Sequence, residues 1–262
     1  MSKRISGTKE WAVVNVNCVE GCGSDCKYCY SRYNAIDRFG LVKYGEWTKE
    51  VVQENSVNKT RKLEKGVVMF PSAHDIRPSI LEPCLKTIKN ILKPGNKILI
   101  VSKPHLDCIT RLCDELTFYK NKILFRFTIG SMNNEILKYW EPNVPLFEER
   151  FDSLKLAFTE GYNTSISCEP MLDSNNVVNL FYKLVPFVTN TIWIGKMNGI
   201  DNRVKINTEE ERLAVNKIEE EQQDKNIFKI YNALKHEEKI RWKDSIKEVI
   251  GLEDGEKAGM DF

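Results

Sequence analysis

Six short apolar runs rich in β-branched residues alternate with segments of helical periodicity, and this alternation constrains the fold more than any other feature. The runs cover residues 11–18, 66–72, 97–103, 122–130, 163–168 and 191–196. Helical patterns cover residues 47–64, 80–93, 106–116, 146–160 and 177–187. Continuous apolar strands separated by helices are typical of a parallel sheet covered on both sides. The chain is therefore predicted to be an α/β protein.

Right-handed β–helix–β crossovers allow such a sheet to curl into a barrel, but six units fall short of the eight in a complete barrel. We predict a partial (β/α)6 barrel of parallel strands with helices outside, and a flat doubly wound sheet is the alternative. Residues 1–205 are predicted to form this barrel domain. Residues 206–262, with long helical patterns at 208–234 and 239–252, are predicted to form a C-terminal helical extension packed on the same domain.

The composition excludes few classes of function. The chain has 39 basic and 37 acidic side chains, and a net charge of +2 neither demands nor excludes a nucleic-acid partner. No apolar run approaches the roughly 20 residues needed to span a bilayer. Residues 1–9 are polar and basic, without an apolar signal segment behind them. These features predict a cytoplasmic protein and give no indication of its oligomeric state.

Four of the eight cysteines lie close together, directly after the first predicted strand. Cys22, Cys26 and Cys29 form a C-x3-C-x2-C pattern, and Cys18 precedes them. Three thiolates leave one iron of a [4Fe–4S] cluster without a protein ligand, and an open metal position is typical of a catalytic site. We predict Cys22, Cys26 and Cys29 as metal ligands, with a zinc knot that adds Cys18 as a fourth ligand as the alternative.

The segment Cys22-Gly-Ser-Asp-Cys26-Lys-Tyr28-Cys29 resembles the C-x3-C-x-aromatic-C motif of the radical S-adenosylmethionine (SAM) superfamily. The resemblance implies a [4Fe–4S] cluster and SAM as cofactors. It also implies reductive cleavage of SAM to a 5′-deoxyadenosyl radical, and an electron donor such as flavodoxin or ferredoxin. By the same resemblance, Tyr28 is expected near the adenine.

The wider sequence resembles the spore photoproduct lyase-like branch of that superfamily. The matches around the cysteines are Asn17, Gly21, Tyr28, Tyr30 and Arg32, whereas Cys18 and Ser24 stand where the branch has Pro and His. Later matches are Ser72 and Asp75, Ser102-Lys103, Phe127-Thr128, Glu141-Pro142 with Arg150, and Glu169-Pro170. The resemblance implies that Tyr28, Tyr30, Ser72, Lys103 and Thr128 bind the cofactor. For Ser72, Lys103 and Thr128 a capping or turn role is the alternative.

Other polar residues near predicted strand ends are candidates for the substrate side of the site, because barrel sites lie at the carboxyl ends of the strands. Asp75 and Glu169 are predicted catalytic residues, and His74, Lys196 and Arg203 are further candidates. Cys168, on the fifth predicted strand, is a candidate hydrogen-atom donor, and a buried apolar thiol is the favoured alternative.

The hydrogen donor is a point of departure from the branch. Spore photoproduct lyase carries its donor cysteine two residues before the serine that closes strand two, and this chain has Phe70 there. The sequence therefore argues against thymine-dimer repair by the same relay.

Two classes of function remain open. The first is a radical SAM enzyme whose substrate is not indicated, with a nucleic-acid base or a small metabolite as candidates. The second is a non-catalytic cysteine-rich module that holds zinc or a relic cluster. The row of polar strand ends favours the enzyme, because a purely structural metal site needs no such row.

Overall fold

The computed structural model describes residues 5–253 and Gly259. Residues 1–4 of the predicted barrel domain, and residues 254–258 and 260–262 of the predicted extension, lie outside the described residues. The strands are β1 (Val14–Asn15), β2 (Val19–Glu20), β3 (Val51–Val52), β4 (Val68–Phe70), β5 (Ile98–Ser102), β6 (Ile123–Thr128), β7 (Asn163–Cys168), β8 (Ile192–Ile194) and β9 (Ile240–Trp242). The α-helices are α1 (Tyr30–Tyr33), α2 (Glu54–Val57), α3 (Leu81–Leu92), α4 (Leu106–Glu115), α5 (Asn134–Trp140), α6 (Phe147–Thr159), α7 (Val177–Leu184), α8 (Ile200–Arg203), α9 (Glu209–Glu221), α10 (Asp224–Leu234) and α11 (Asp244–Ile250).

Seven strands form one parallel sheet in the order β1-β4-β5-β6-β7-β8-β9, and β2 pairs with β3 in a separate antiparallel ribbon. The strand order follows the chain without reversal, so every crossover advances in the same direction. A doubly wound sheet reverses its strand order at a switch point, and this sheet does not. The predicted partial barrel with outer helices is confirmed, and the flat doubly wound alternative is not.

The seventh strand, β9, corrects the prediction of six strands and of a wholly helical extension. It lies within the segment 239–252, which was expected to be amphipathic and helical, and pairs in parallel with β8. The predicted helix over 208–234 is two helices, α9 and α10. They are separated at Gln222, whose buried amide accepts a hydrogen bond from Met197 N at 2.8 Å and donates one to Met171 O at 2.6 Å.

The helix predicted over residues 47–64 is largely wrong. Only the single turn α2 forms there. Val51 and Val52 instead pair with Glu20 and Val19 in the β2–β3 ribbon. Two β-branched residues in sequence favour extended backbone over helix, and the ribbon gives their peptide groups partners.

The alternation of side chains along each strand divides the sheet into two unlike faces. Ile98, Ile100, Phe125 and Phe127 belong to a large buried cluster shared with helices such as α3, α4 and α6. A second cluster, of Trp11, Val67, Met69, Leu99, Leu124 and Trp193, lies on the opposite face. The outer face is thus the main core, and the inner face is left to enclose a cavity.

None of the helices within residues 5–253 has the length and apolar character that crossing a membrane requires.

Phe125 provides a test of the outer core. Its ring is fully buried and packs against Phe127 and Tyr162, with centroid separations of 5.5 and 5.2 Å. We expect Phe125→Ala to lower the free energy of unfolding by about 3–5 kcal/mol, because it leaves a cavity in a packed interior. Phe118, which is 91% exposed, is the matched control, and its replacement by alanine should change that free energy by less than about 0.5 kcal/mol. Urea denaturation of both variants measures the difference, and equal losses would contradict this assignment of the core.

Candidate active site

A cavity of about 1190 Å³ opens at the carboxyl ends of the strands. It is bordered by the three cysteines of the C-x3-C-x2-C loop and by all five residues predicted to bind the cofactor, namely Tyr28, Tyr30, Ser72, Lys103 and Thr128. Sites on parallel barrels form at this end because the loops that follow the strands converge there. The structure therefore brings the predicted metal ligands and the predicted SAM contacts into one space.

The cysteine loop begins at a position that only glycine fits. Gly21 has φ +87°, and a Cβ there would lie 2.3 Å from Lys49 O. The next residue, Cys22, donates its N–H to Trp47 O at 2.8 Å. Glu50 accepts a hydrogen bond from Gly23 N at 3.0 Å. The non-helical segment around β3 thus fixes the first half of the loop.

The end of the loop is folded around Arg32. Its guanidinium lies 3.2 Å from Asp25 Oδ1 and donates to Lys27 O at 2.7 Å. Its backbone N–H lies 3.4 Å from Cys29 Sγ, which caps the first turn of α1. Arg32 therefore joins two parts of the loop that carry predicted ligands, which gives this motif position a physical role.

Asp75 connects the loop to the sheet. Its carboxylate accepts hydrogen bonds from Ser24 Oγ at 2.7 Å and from Lys103 N at 2.9 Å, and Lys103 Nζ lies 3.5 Å away. Burial alone would raise the pKa of Asp75, but Lys103 and these hydrogen bonds outweigh it and lower the pKa. Ser24, which departs from the His of the family motif, is thus a partner of Asp75. This geometry gives Asp75 a positioning role in the loop.

A buried ion pair supports Tyr28 from the other side. Tyr28 donates its hydroxyl proton to Glu141, and Glu141 lies 2.6 Å from Arg150 Nη2. The Glu141 and Arg150 side chains are both 0% exposed. Burial, with the nearby Glu141 carboxylate, raises the pKa of Tyr28 well above its usual range. Glu141 and Arg150, which match the family pattern, therefore hold Tyr28, the aromatic residue of the cysteine motif.

Asn17 organises the end of β4, a role that the sequence did not assign to it. Its side-chain oxygen accepts from Ser72 N at 2.7 Å and Ala73 N at 2.9 Å, and its amide donates to Ser72 Oγ at 3.0 Å. Tyr30 donates its hydroxyl proton to the Ser72 carbonyl. The match of Asn17 to the family motif was the signal from which this role could have been predicted. These bonds fix the backbone of Ser72 at the cavity wall.

The three loop thiols fit a [4Fe–4S] cluster by their chemistry and placement. Cys22, Cys26 and Cys29 all border the cavity, and burial raises the pKa of each, for Cys22 to about 11. Buried thiols bind metal as thiolates and release their protons. In residues 5–253, no three His, Cys, Asp or Glu side chains converge on a point as a single ion requires. A cubane needs only that each thiolate reach a different iron.

Cys18 does not border the cavity with these thiols. It is fully buried, and its Sγ is 3.8 Å from Cys84 Sγ on α3, within the outer core. Its backbone N–H donates to His74 Nε2 at 3.3 Å. This placement argues against the zinc-knot alternative, which requires Cys18 as its fourth ligand. His74 is a satisfied polar group, since its Nδ1 also lies 3.0 Å from Asp75 O.

Cys168 does not face the cavity, so its position agrees with the favoured alternative of a buried apolar thiol and not with its candidacy as a hydrogen-atom donor. Thr128 pairs with Ser167 across β6 and β7, and both border the cavity. Since adjacent strand residues face opposite sides, Cys168 points to the outer core, where it packs near Ile166 and Phe181. A thiol in that position is a small apolar core residue rather than a hydrogen donor to a substrate in the cavity.

The other candidates for the substrate side do border the cavity. Glu169 follows β7, Lys196 follows β8, and Arg203 ends α8. Sequence reasoning missed Lys243, which follows β9 and also borders the cavity. Lys243 was missed because β9 was not predicted, and the end of a predicted strand was the signal that singled out Glu169 and Lys196.

Arg150 tests the support of Tyr28. We expect Arg150→Met to lower the free energy of unfolding by about 3–5 kcal/mol, because it leaves the Glu141 carboxylate buried without its counterion. Lys155→Met is the matched control. Lys155 lies 2.6 Å from Asp152, but these side chains are 40% and 50% exposed, so its loss should cost less than about 1 kcal/mol. Chemical denaturation of both variants makes the comparison, and a loss at Arg150 no larger than that at Lys155 would refute this account.

No family model matches the chain. A curated viral protein, the uncharacterized protein ORF301 of Acidianus two-tailed virus, is 25% identical over 179 residues. The match covers 64% of this chain and 58% of the viral protein, so it spans less than two thirds of that relative.

Two solved structures are similar to this chain in fold, although their sequence identity is low. Spore photoproduct lyase complexed with dinucleoside spore photoproduct has a TM-score of 0.60 at 13% identity, over 92% of this chain and 78% of that one. SuiB of Streptococcus suis bound to S-adenosylmethionine has a TM-score of 0.54 at 9% identity, over 87% of this chain and 49% of that one. The chain therefore has the fold of the radical SAM enzymes of the spore photoproduct lyase type, at an identity that agrees with a protein distinct from spore photoproduct lyase itself.

Proposed function

We propose that this protein is a radical SAM enzyme that holds a [4Fe–4S] cluster through Cys22, Cys26 and Cys29. One observation carries the proposal: the three thiols share a single cavity with Tyr28, Ser72, Lys103 and Thr128. A structural metal site would need the thiols alone. A cavity of this volume, with a few convergent polar groups, is what a small-molecule cofactor and substrate require.

When bound, the cluster and SAM supply the reductive cleavage that gives a 5′-deoxyadenosyl radical. The chain binds and orients SAM and the substrate and excludes water, while the cofactor carries out the radical chemistry. Lys103 provides a largely buried ammonium beside Asp75, suited to the SAM carboxylate through a charge-assisted hydrogen bond. Ser72 and Thr128 add hydroxyl groups for the remaining polar atoms of SAM, and Tyr28 adds an aromatic surface for its adenine.

The substrate is proposed only as a class. Spore photoproduct lyase has been solved with a dinucleoside spore photoproduct, and a nucleic-acid base is the corresponding candidate here. The outward packing of Cys168 and the presence of Phe70 in the outer core support a hydrogen-transfer route different from that of spore photoproduct lyase. We further propose a flavodoxin or ferredoxin as electron donor and a cytoplasmic location.

Anaerobic reconstitution with iron and sulfide tests the cluster. We expect about four irons per chain, and release of 5′-deoxyadenosine when the reduced protein is given SAM. Cys26→Ala should lose both, because it removes one of three ligands. Cys108→Ala, which removes an equally buried thiol from α4, should retain both. Tight zinc without iron, or a cluster that never cleaves SAM, would move the protein to the class of non-catalytic metal-binding modules.

Lys103 tests the SAM site separately. We expect Lys103→Met to weaken SAM binding to the reconstituted protein roughly 10- to 100-fold, the value of one charge-assisted hydrogen bond. Lys138→Met, at an exposed position on α5, is the control and should leave the affinity unchanged. Isothermal titration with SAM measures both. Unchanged affinity in a folded Lys103 variant would exclude this residue from the site.

A further inference from the structure

One wall of the cavity contains charges that the proposed cofactor site does not use. It is built from the 3₁₀ turn Gly7–Glu10, the residue after β7 and the residue after β9. There Lys243 forms an ion pair with Glu10, and its Nζ lies 3.6 Å from Glu169 Oε2. The same ammonium donates a hydrogen bond to Gly7 O at 2.9 Å.

The Lys243 ammonium is held on every side. Its side chain is 1% exposed, and Nζ lies 4.4 Å from the ring centroid of Trp11 and 5.6 Å from that of Trp193. Removing an ammonium from water costs several kcal/mol unless it is paired, and indole faces attract cations. Two carboxylates, one carbonyl and two rings thus fix Lys243, unlike an ordinary surface lysine.

The two carboxylates beside Lys243 differ in their exposure. The Glu10 side chain is 3% exposed and is shared with Lys247, whose Nζ lies 3.2 Å away. The Glu169 side chain is 23% exposed and borders the cavity. Glu10 is therefore the internal counterion, and Glu169 is the carboxylate that a molecule in the cavity can reach.

Gly195, the residue after β8, leaves space for the side chains of Lys243 and Glu169. A Cβ on Gly195 would lie 2.9 Å from Lys243 Cβ and 3.1 Å from Glu169 Cγ. Contacts that short do not form without displacement, so an alanine would force the lysine and the glutamate from their places. The space beside Gly195 is thus filled by the two side chains that meet there.

We propose that Lys243 is a positioning residue that holds the Glu169 carboxylate ionised at the cavity wall, where it accepts a hydrogen bond from the substrate. The inference rests on the proposed function for the existence of a substrate in this cavity. It predicts a substrate group that donates hydrogen bonds, such as an exocyclic amine, an amide or a hydroxyl.

The surrounding charges act on Glu169 in opposite directions. Burial raises the pKa of Glu169, Lys243 opposes this effect, and Asp244 and Glu10 add to it. Lys196 borders the same cavity, and Lys247 faces Glu10 from α11. Without the Lys243 cation, burial and the two neighbouring carboxylates remain, so the pKa of Glu169 must rise further.

The test measures the protonation of Glu169 directly in the full chain as isolated. Glutamate labelled with ¹³C at Cδ is followed by NMR across a pH titration, and Glu169→Gln assigns the resonance. We expect Lys243→Met to raise the titration midpoint of Glu169 by roughly one pH unit or more. Lys243→Arg should return it toward the wild-type value. Lys247→Met, which removes the other cation beside Glu10, should shift it by less than half as much.

A purely structural Lys243 would lower the melting temperature without moving the midpoint, and that result would overturn the proposal. An equal shift in Lys247→Met would overturn it as well. If Lys243→Met does not fold, Lys243→Gln, which removes the charge but keeps a hydrogen-bond donor, replaces it, with an upward shift again expected and an unchanged midpoint again contradictory. The titration needs neither cluster assembly nor SAM cleavage, so its failure is distinguishable from failure of the proposed function.

Discussion

The alternation of side chains along parallel strands decides what each face of this sheet can do. Because the strand order never reverses, one face receives the packing helices and the other is left to enclose space. Apolar residues fill the outward positions of β5 and β6, while Lys103 and Thr128 occupy inward positions at the strand ends. A shift of one residue in any strand would exchange core and cavity side chains, so register and function are fixed together.

The cysteine loop has little regular structure of its own and depends on distant parts of the chain for its shape. Asp75 ties it to the ends of β4 and β5, and the Glu141–Arg150 pair supports it from α6. Gly21 allows the loop to touch the segment around β3. Such pre-arranged support lowers the entropic cost of holding the three cysteines in one geometry.

The sequence predicted what local pattern and motif can carry. The strand expected at residues 163–168 coincides with β7, and the helix expected at 80–93 differs from α3 by one residue at each end. The sequence-based prediction failed where contacts with distant parts of the chain decide the secondary structure. β9 reads Ile-Arg-Trp, so it lacks the continuous apolar run that marked the equally short β4 and β8. Residues 47–64 take the conformation that their contacts with the cysteine loop require.

Within the site, the residues that motif resemblance predicts as metal ligands and cofactor contacts all border one cavity. The direction of Cys168 depends on the register between β6 and β7, which the structure supplies and the sequence does not. Once Thr128 is inward and the strands are in parallel register, Ser167 is inward and Cys168 is outward. Lys243 was beyond such reasoning, because its partners Glu10 and Glu169 are brought to it only by the closure of the sheet.

That closure joins residues far apart in the chain, since the contacts from Lys243 to Gly7 and from Lys247 to Glu10 span 236 and 237 positions. A ribosome makes the chain from one direction, so the strands from β1 to β8 emerge before the residue that completes this wall. Until then Trp11, Glu10 and Glu169 face an open edge without their cation. This side of the cavity therefore cannot take its final form until β9 has been synthesised and has paired with β8, however early the preceding strands pack.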